Sequence, residues 1–141
     1  MGILIGGIGS SHAPSIAHAA DAEHQQRPEW KPFFDAYAPV RAWLAEQQVQ
    51  TLVVFYNDHL NHFQFGAYPT FALGIDDSMP VADEGSGPRP LPPVPGDVEL
   101  GWHLAEHLLR DEFDPTICQA MQLDHGVMSV LPLLTEPPWR V

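Results

Sequence analysis

The 141-residue sequence has a single cysteine and few basic side chains. Cys118 alone excludes an internal disulfide and fits a reducing compartment. Six Lys and Arg stand against 18 Asp and Glu, for a net charge of -12. That balance lacks the basic footprint that nucleic-acid binding needs. It also disfavours an anionic membrane surface. No apolar run approaches the length of a membrane span. The N-terminus lacks a basic segment followed by an apolar run and a cleavage site, so no signal peptide is expected. The simplest expectation is a cytoplasmic protein with no nucleic-acid or membrane partner. Several catalytic signatures are also missing. There is no Gly-x-Ser-x-Gly elbow, no phosphate-binding P-loop and no His-Glu-x-x-His. Gly6-Gly7-Ile8-Gly9 lacks the spacing of a dinucleotide-binding turn, and no cofactor-binding residues are assigned on it.

What is present reads as one globular domain. The composition is 45% hydrophobic and 17% charged, enough for a modest core. The 15 prolines predict long irregular connections. Ile3–Ile8 reads as a Gly-rich first strand, and Thr51–Tyr56, continuously apolar, reads as a parallel strand covered on both faces. Residues 15–29 are polar and Ala-rich and read as a loop, with at most a helical turn. Apolar residues from Phe33 to Leu44 recur at helical spacing, so a helix is expected over 31–48, kinked at Pro39. A third strand is expected at Thr70–Ile75. Residues 76–96 hold six prolines and should form a long loop without regular structure. Asp97 reads as the N-cap of a helix running to about Arg110. A strand near Phe113–Gln119 follows. Asp124-His125-Gly126 then opens a short helix disturbed by Pro132. The order β-α-β-β-α-β-α predicts an α/β domain with a mixed or mainly parallel sheet and flanking helices. Residues 135–141 read as the approach to a further strand, so the sheet is expected to be truncated.

Two histidines stand out. His12 follows the first predicted strand through Gly9-Ser10-Ser11. His59 follows the second through Tyr56-Asn57-Asp58. Ligands in open α/β sheets lie beyond the carboxyl ends of the strands. Two imidazoles delivered to that edge can share one metal ion. Neutral imidazole suits Fe, Zn, Cu and Ni, so the pair does not name the metal. For either histidine alone a bond to its own loop is the stronger reading. The repeated design favours a metal site. A metal ion would also give this acidic chain the local positive charge that an anionic substrate needs.

Two histidines do not complete a site. A zinc hydrolase needs a third protein ligand and an open position. A non-haem Fe(II) oxygenase needs one carboxylate beside two histidines. Asp58 adjoins His59 and should point away from it, orienting the loop. Asp124 is placed to cap the following helix. Neither is assigned as the third ligand, and Asp83 and Glu84 read as solvated loop carboxylates. His125 also follows a predicted strand and loop. It reads equally as a pocket group that bonds substrate or oxygen and as a satisfied residue at a helix start. His18, His24, His62, His103 and His107 read as surface or packing residues. Cys118 reads as a small core residue rather than a nucleophile.

A resemblance builds on these residues. Ser10-Ser11-His12-Ala13-Pro14, Tyr56-Asn57-Asp58-His59, Ala82-Asp83-Glu84-Gly85, Gly87-Pro88-Arg89-Pro90, Asp111-Glu112-Phe113-Asp114 and Leu123-Asp124-His125-Gly126 occur in order. Together they resemble the N-terminal half of class III extradiol ring-cleavage dioxygenases. The branch is that of the protocatechuate 4,5-dioxygenase β-subunit and gallate dioxygenase. The resemblance covers essentially the whole chain, residues 1–141, as the N-terminal part of one catalytic domain. It implies an enzyme of aromatic catabolism that opens a catechol-type aromatic acid with Fe(II) and O₂. It implies that His12 and His59 are metal ligands and that His125 is a catalytic pocket residue. It also implies an oligomer or a partner subunit. The family's glutamate ligand and its acid/base histidine lie in the C-terminal half and have no position here. The resemblance therefore predicts an incomplete iron site in this chain. The competing readings are a non-catalytic metal-binding or interaction module on the same scaffold and, more weakly, a zinc hydrolase.

Overall fold

A computed structural model gives the fold and describes residues 2–135 and residue 141. Its elements run α1 (Pro14–Asp21), α2 (Lys31–Asp35), α3 (Tyr37–Glu46), β1 (Ala72–Gly74), β2 (Ser78–Met79), β3 (Val94–Pro95), α4 (Val98–Arg110), β4 (Thr116–Cys118), α5 (His125–Met128) and α6 (Leu131–Leu134). The chain is mixed α/β, as expected. β1 and β4 pair in parallel, with Leu73 opposite Ile117. β2 and β3 pair antiparallel. Helix α4 lies in the connection between the parallel strands and packs on β1.

Proline placement explains the helix boundaries. The helix expected over 31–48 is two helices, broken at Ala36. Pro39 is the third residue of α3, where its missing N–H has no intrahelical partner to lose. In an unbroken helix its ring would press on the carbonyl of Asp35. Pro132 likewise sits in the first turn of α6. The loop expected at residues 15–29 begins with a helix instead. Pro14 takes the first helical position of α1, and the Ala-rich stretch has high helix propensity. Asp97 caps α4 as expected, its Oδ1 accepting from Leu100 N at 3.1 Å.

The two strands expected at Ile3–Ile8 and Thr51–Tyr56 are not formed. Both segments lack ladder hydrogen bonds. Leu4 is 91% exposed and Phe55 is 93% exposed. Apolar content marks a strand for burial, but a strand also needs a backbone partner, and among the described residues neither segment has one. The segments are nonetheless held at several points. A Cβ on Gly6 would lie 2.8 Å from the Trp43 ring, so the chain approaches α3 closely there. Ser10 Oγ hydrogen-bonds Tyr37 Oη. Thr51 Oγ1 donates to Asp97 Oδ2 at 2.8 Å. The 76–96 segment is mostly irregular but contains β2 and β3, a short pairing its prolines did not suggest. The further strand expected at the end of the chain falls largely on residues 136–140, outside the described residues.

The core has two parts. One gathers Met79, Val94, Cys118, Met121, Leu123, Val127, Met128 and Leu131. The other joins Tyr37, Leu44 and Leu134, and Leu52 packs against both. Met128 is 1% exposed, so truncating it to Ala should cost about 2–5 kcal/mol. Cys118 is buried, consistent with a packing role.

Candidate metal and substrate site

Three histidines from three separate segments meet on one side of the molecule. The rings of His12 and His59 have centroids 5.2 Å apart. His125 lies 4.0 Å from His59 and 6.1 Å from His12 by the same measure. His12 ends the N-terminal segment, just before α1. His59 sits in a turn shaped by Asp58, whose carboxylate accepts from the backbone N–H groups of Asn61, His62 and Phe63. Asp58 thus orients the loop and does not join the cluster. His125 opens α5.

Asp124 ties two of these segments together. Its Oδ1 accepts from Gly126 N at 2.8 Å, capping α5. Its Oδ2 accepts from His59 N at 2.8 Å and lies 3.1 Å from His59 Nδ1. The side chain is fully buried, and these three donors satisfy it. The cap was legible in the sequence; the grip on His59, 65 residues away, was not. Gly126 permits the close approach. A Cβ there would meet Tyr56 Cδ2 and Asp124 Oδ1 at 2.9 Å.

Glu84 is the residue that sequence reasoning missed. It is not a free loop carboxylate. Oε1 lies 2.5 Å from His125 Nδ1, and Oε2 accepts from His125 N at 3.0 Å. Its neighbour Asp83 folds back locally, accepting from Gly85 N and Gly87 N at 2.9 Å. No local spacing signals a partner 41 residues away.

Burial holds the Tyr56 phenol well above its usual range, helped by the nearby carboxylates of Asp124 and Asp58 and, last, by Cys118. Its hydroxyl donates to Met121 Sδ at 3.3 Å. His62 points its Nε2 at Cys118 Sγ, 2.9 Å away. His103 and His107 lie one turn apart on α4 with their rings in tilted contact, outside the cluster.

The donor set suits a metal ion. His59, Asp124 and His125 each offer a ligand atom within 4.8 Å of the others. The pair His12 and His59 is the other arrangement. Two imidazole nitrogens bound to one ion hold their ring centres roughly 4.5–5.5 Å apart. The observed 5.2 Å falls in that span. Asp124 is the weaker donor, because its oxygens already accept three N–H groups in a buried position. A carboxylate on Nδ1 is the usual support of a metal-binding histidine. With Asp124 on Nδ1, His59 keeps Nε2 for a ligand.

Comparison with known proteins identifies a family. Residues 6–141 match the family model described as "Catalytic LigB subunit of aromatic ring-opening dioxygenase". The chain belongs to that family. It is 37% identical over 99 residues to a 2,3-dihydroxyphenylpropionate/2,3-dihydroxicinnamic acid 1,2-dioxygenase of Paraburkholderia xenovorans, covering 70% of this chain and 30% of the relative. A similarly named protein of Burkholderia vietnamiensis is 33% identical over 122 residues, covering 86% of this chain and 34% of the relative. A gallate dioxygenase of Pseudomonas putida is 44% identical over 63 residues, 43% of this chain and 18% of the relative. The chain thus spans about a third or less of these relatives. None of the helices among the described residues is long and apolar enough to cross a membrane.

Proposed function

We propose that this chain is the N-terminal part of a class III extradiol dioxygenase catalytic domain. His12 and His59 hold Fe(II), and His125 faces the substrate. The clustering of these three rings carries the reading. The glutamate ligand and the acid/base histidine would come from further residues, in the same chain or a partner subunit. The substrate is a catechol-type aromatic acid such as protocatechuate, gallate or 2,3-dihydroxyphenylpropionate, and the co-substrate is O₂. The setting is cytoplasmic aromatic catabolism. Bound Fe(II) supplies the redox and Lewis-acid chemistry that couples the catechol to O₂. His125 would hydrogen-bond a ring hydroxyl or oxygen in the cleft. Asp124 and the Asp58 turn hold His59 in place.

The test is the complete enzyme loaded anaerobically with Fe(II), then given each acid and O₂. Substrate-dependent O₂ uptake is expected, and His12→Ala and His59→Ala should each lose iron. His125→Ala should lower turnover more than iron content. Iron retention unchanged in both ligand variants would refute the assignment. Iron retention without O₂ uptake on any catechol would favour a non-catalytic metal-binding module.

A further inference from the structure

We propose that Glu84 is a positioning residue that fixes the tautomer of His125. The inference rests on the placement of His125 in the cleft, and its first test needs neither iron nor substrate. The backbone delivers Glu84 to its partner. Val81 pairs in parallel with Leu123. Ala82 N donates to Leu123 O, and Leu123 N donates to Pro80 O, both at 2.9 Å. Continuing that register brings residues 83–84 over residue 125. The Glu84 carboxylate then takes the backbone N–H of His125 with one oxygen and the ring Nδ1–H with the other. Two bonds from one carboxylate fix both the rotation of the ring and the position of its proton.

The chemical consequence is specific. A carboxylate only accepts, so Nδ1 must carry the proton. Neutral His125 then leaves Nε2 bare, as an acceptor. It can take a hydrogen bond or a proton from a catechol hydroxyl; it cannot donate one while neutral. His59 has the same arrangement, with Asp124 on its Nδ1. Carboxylates therefore assign the bare nitrogen of both rings. Glu84 acts through His125 and need not touch substrate.

The test is nitrogen-15 NMR of the histidine-labelled, metal-free chain at about pH 8.5, two units above the ordinary imidazole pKa. His125 is assigned by loss of its signals in His125→Gln. The expected wild-type pattern is protonated Nδ1 and bare Nε2. Glu84→Ala should move His125 toward the Nε2–H form and leave His59 unchanged. Glu84→Gln should restore Nδ1–H, because its amide oxygen can still accept that proton. A wild-type His125 carrying its proton on Nε2 would overturn the proposal, and so would an Ala variant with an unaltered tautomer. In the complete enzyme, Glu84→Ala should lower kcat roughly 10–100-fold with iron content intact, and Glu84→Gln should recover part of it. A shifted tautomer with unchanged kcat would also overturn the positioning role. If no catechol is cleaved at all, the tautomer result stands and only the dioxygenase reading falls.

Discussion

Arg89 grips Asp21 through two parallel hydrogen bonds, Nε to Oδ2 at 2.8 Å and Nη2 to Oδ1 at 2.6 Å. Its remaining nitrogen, Nη1, donates to the carbonyl of Met128. Asp21 ends α1, which follows His12, and Met128 ends α5, which His125 opens. One guanidinium therefore joins the Pro-rich loop to both helices that flank the cluster. Asp21 is half-exposed, so the charge attraction itself contributes little. The planar fork is what matters, because it fixes three segments at once.

Arg89→Ala should therefore loosen residues 80–91 while costing only about 1–2 kcal/mol overall. Arg89→Lys should not restore the loop, since an ammonium cannot reproduce the fork. Amide hydrogen exchange is the measurement, read at Ala82, Glu84 and Leu91. Exchange rates there that match wild type in both variants would show that the loop is held by other means.

Asp124 predicts a double effect. Asp124→Ala orphans His59 N and Gly126 N, and removes the cap of α5. The expected destabilisation is about 2–4 kcal/mol. Metal affinity should fall roughly 10–100-fold as His59 loses its support. Asp124→Asn can still accept one bond through its amide oxygen and should lie between Ala and wild type in both readouts. Urea unfolding and anaerobic metal titration measure the two separately. A loss of stability with unchanged metal affinity would leave Asp124 as a helix cap alone.

The local rules were legible in the sequence. Asp97 and Asp124 cap the helices they precede, and Asp58 bonds the turn after it. Each bond lies within five residues, where the pattern of side chains dictates the outcome. His12, His59 and His125 could be picked out because each closes an apolar or turn segment. The long-range bonds could not. Glu84 sits in an acid-Gly turn indistinguishable from a solvated one until Val81 pairs with Leu123. The strands expected at Ile3–Ile8 and Thr51–Tyr56 fail for the same reason in reverse. Their apolar content is local, whereas ladder formation depends on a partner that composition does not reveal.

Tyr56 predicts an alkaline limit to stability. Its folded-state pKa is raised, so the folded protein holds the phenol proton more tightly than the unfolded chain does. That contribution is fully present below the ordinary value of 10.0 and is lost as pH rises above it. Wild-type protein should keep its urea resistance up to about pH 10 and lose it progressively as pH rises further. Tyr56→Phe should lose less over the same span, although it starts lower for want of the bond to Met121. Parallel stability curves for the two proteins would mean that Tyr56 does not set the limit.

A polypeptide of these 141 residues alone should bind Fe(II) weakly and should not cleave a catechol. The reason lies in how its carboxylates are used. Among the described residues, the two carboxylates at the cluster are Asp124 and Glu84. Asp124 accepts from His59 and Gly126, and Glu84 accepts from both N–H groups of His125. Three of their four oxygens serve a histidine and the fourth, Asp124 Oδ1, caps α5, so a metal ion would have to compete with these bonds. Two neutral imidazoles then hold a divalent ion with no negative charge to balance it, where a 2-His-1-carboxylate site would supply one. The measurement is anaerobic Fe(II) titration of the isolated chain, followed by gallate or protocatechuate and O₂. Weak binding lost in His12→Ala, with no substrate-dependent O₂ uptake, is the expected result. Stoichiometric iron and ring-opened product would show that a carboxylate here leaves its histidine for the metal. Asp124→Asn would then abolish the activity, and Glu84→Gln would identify the alternative donor.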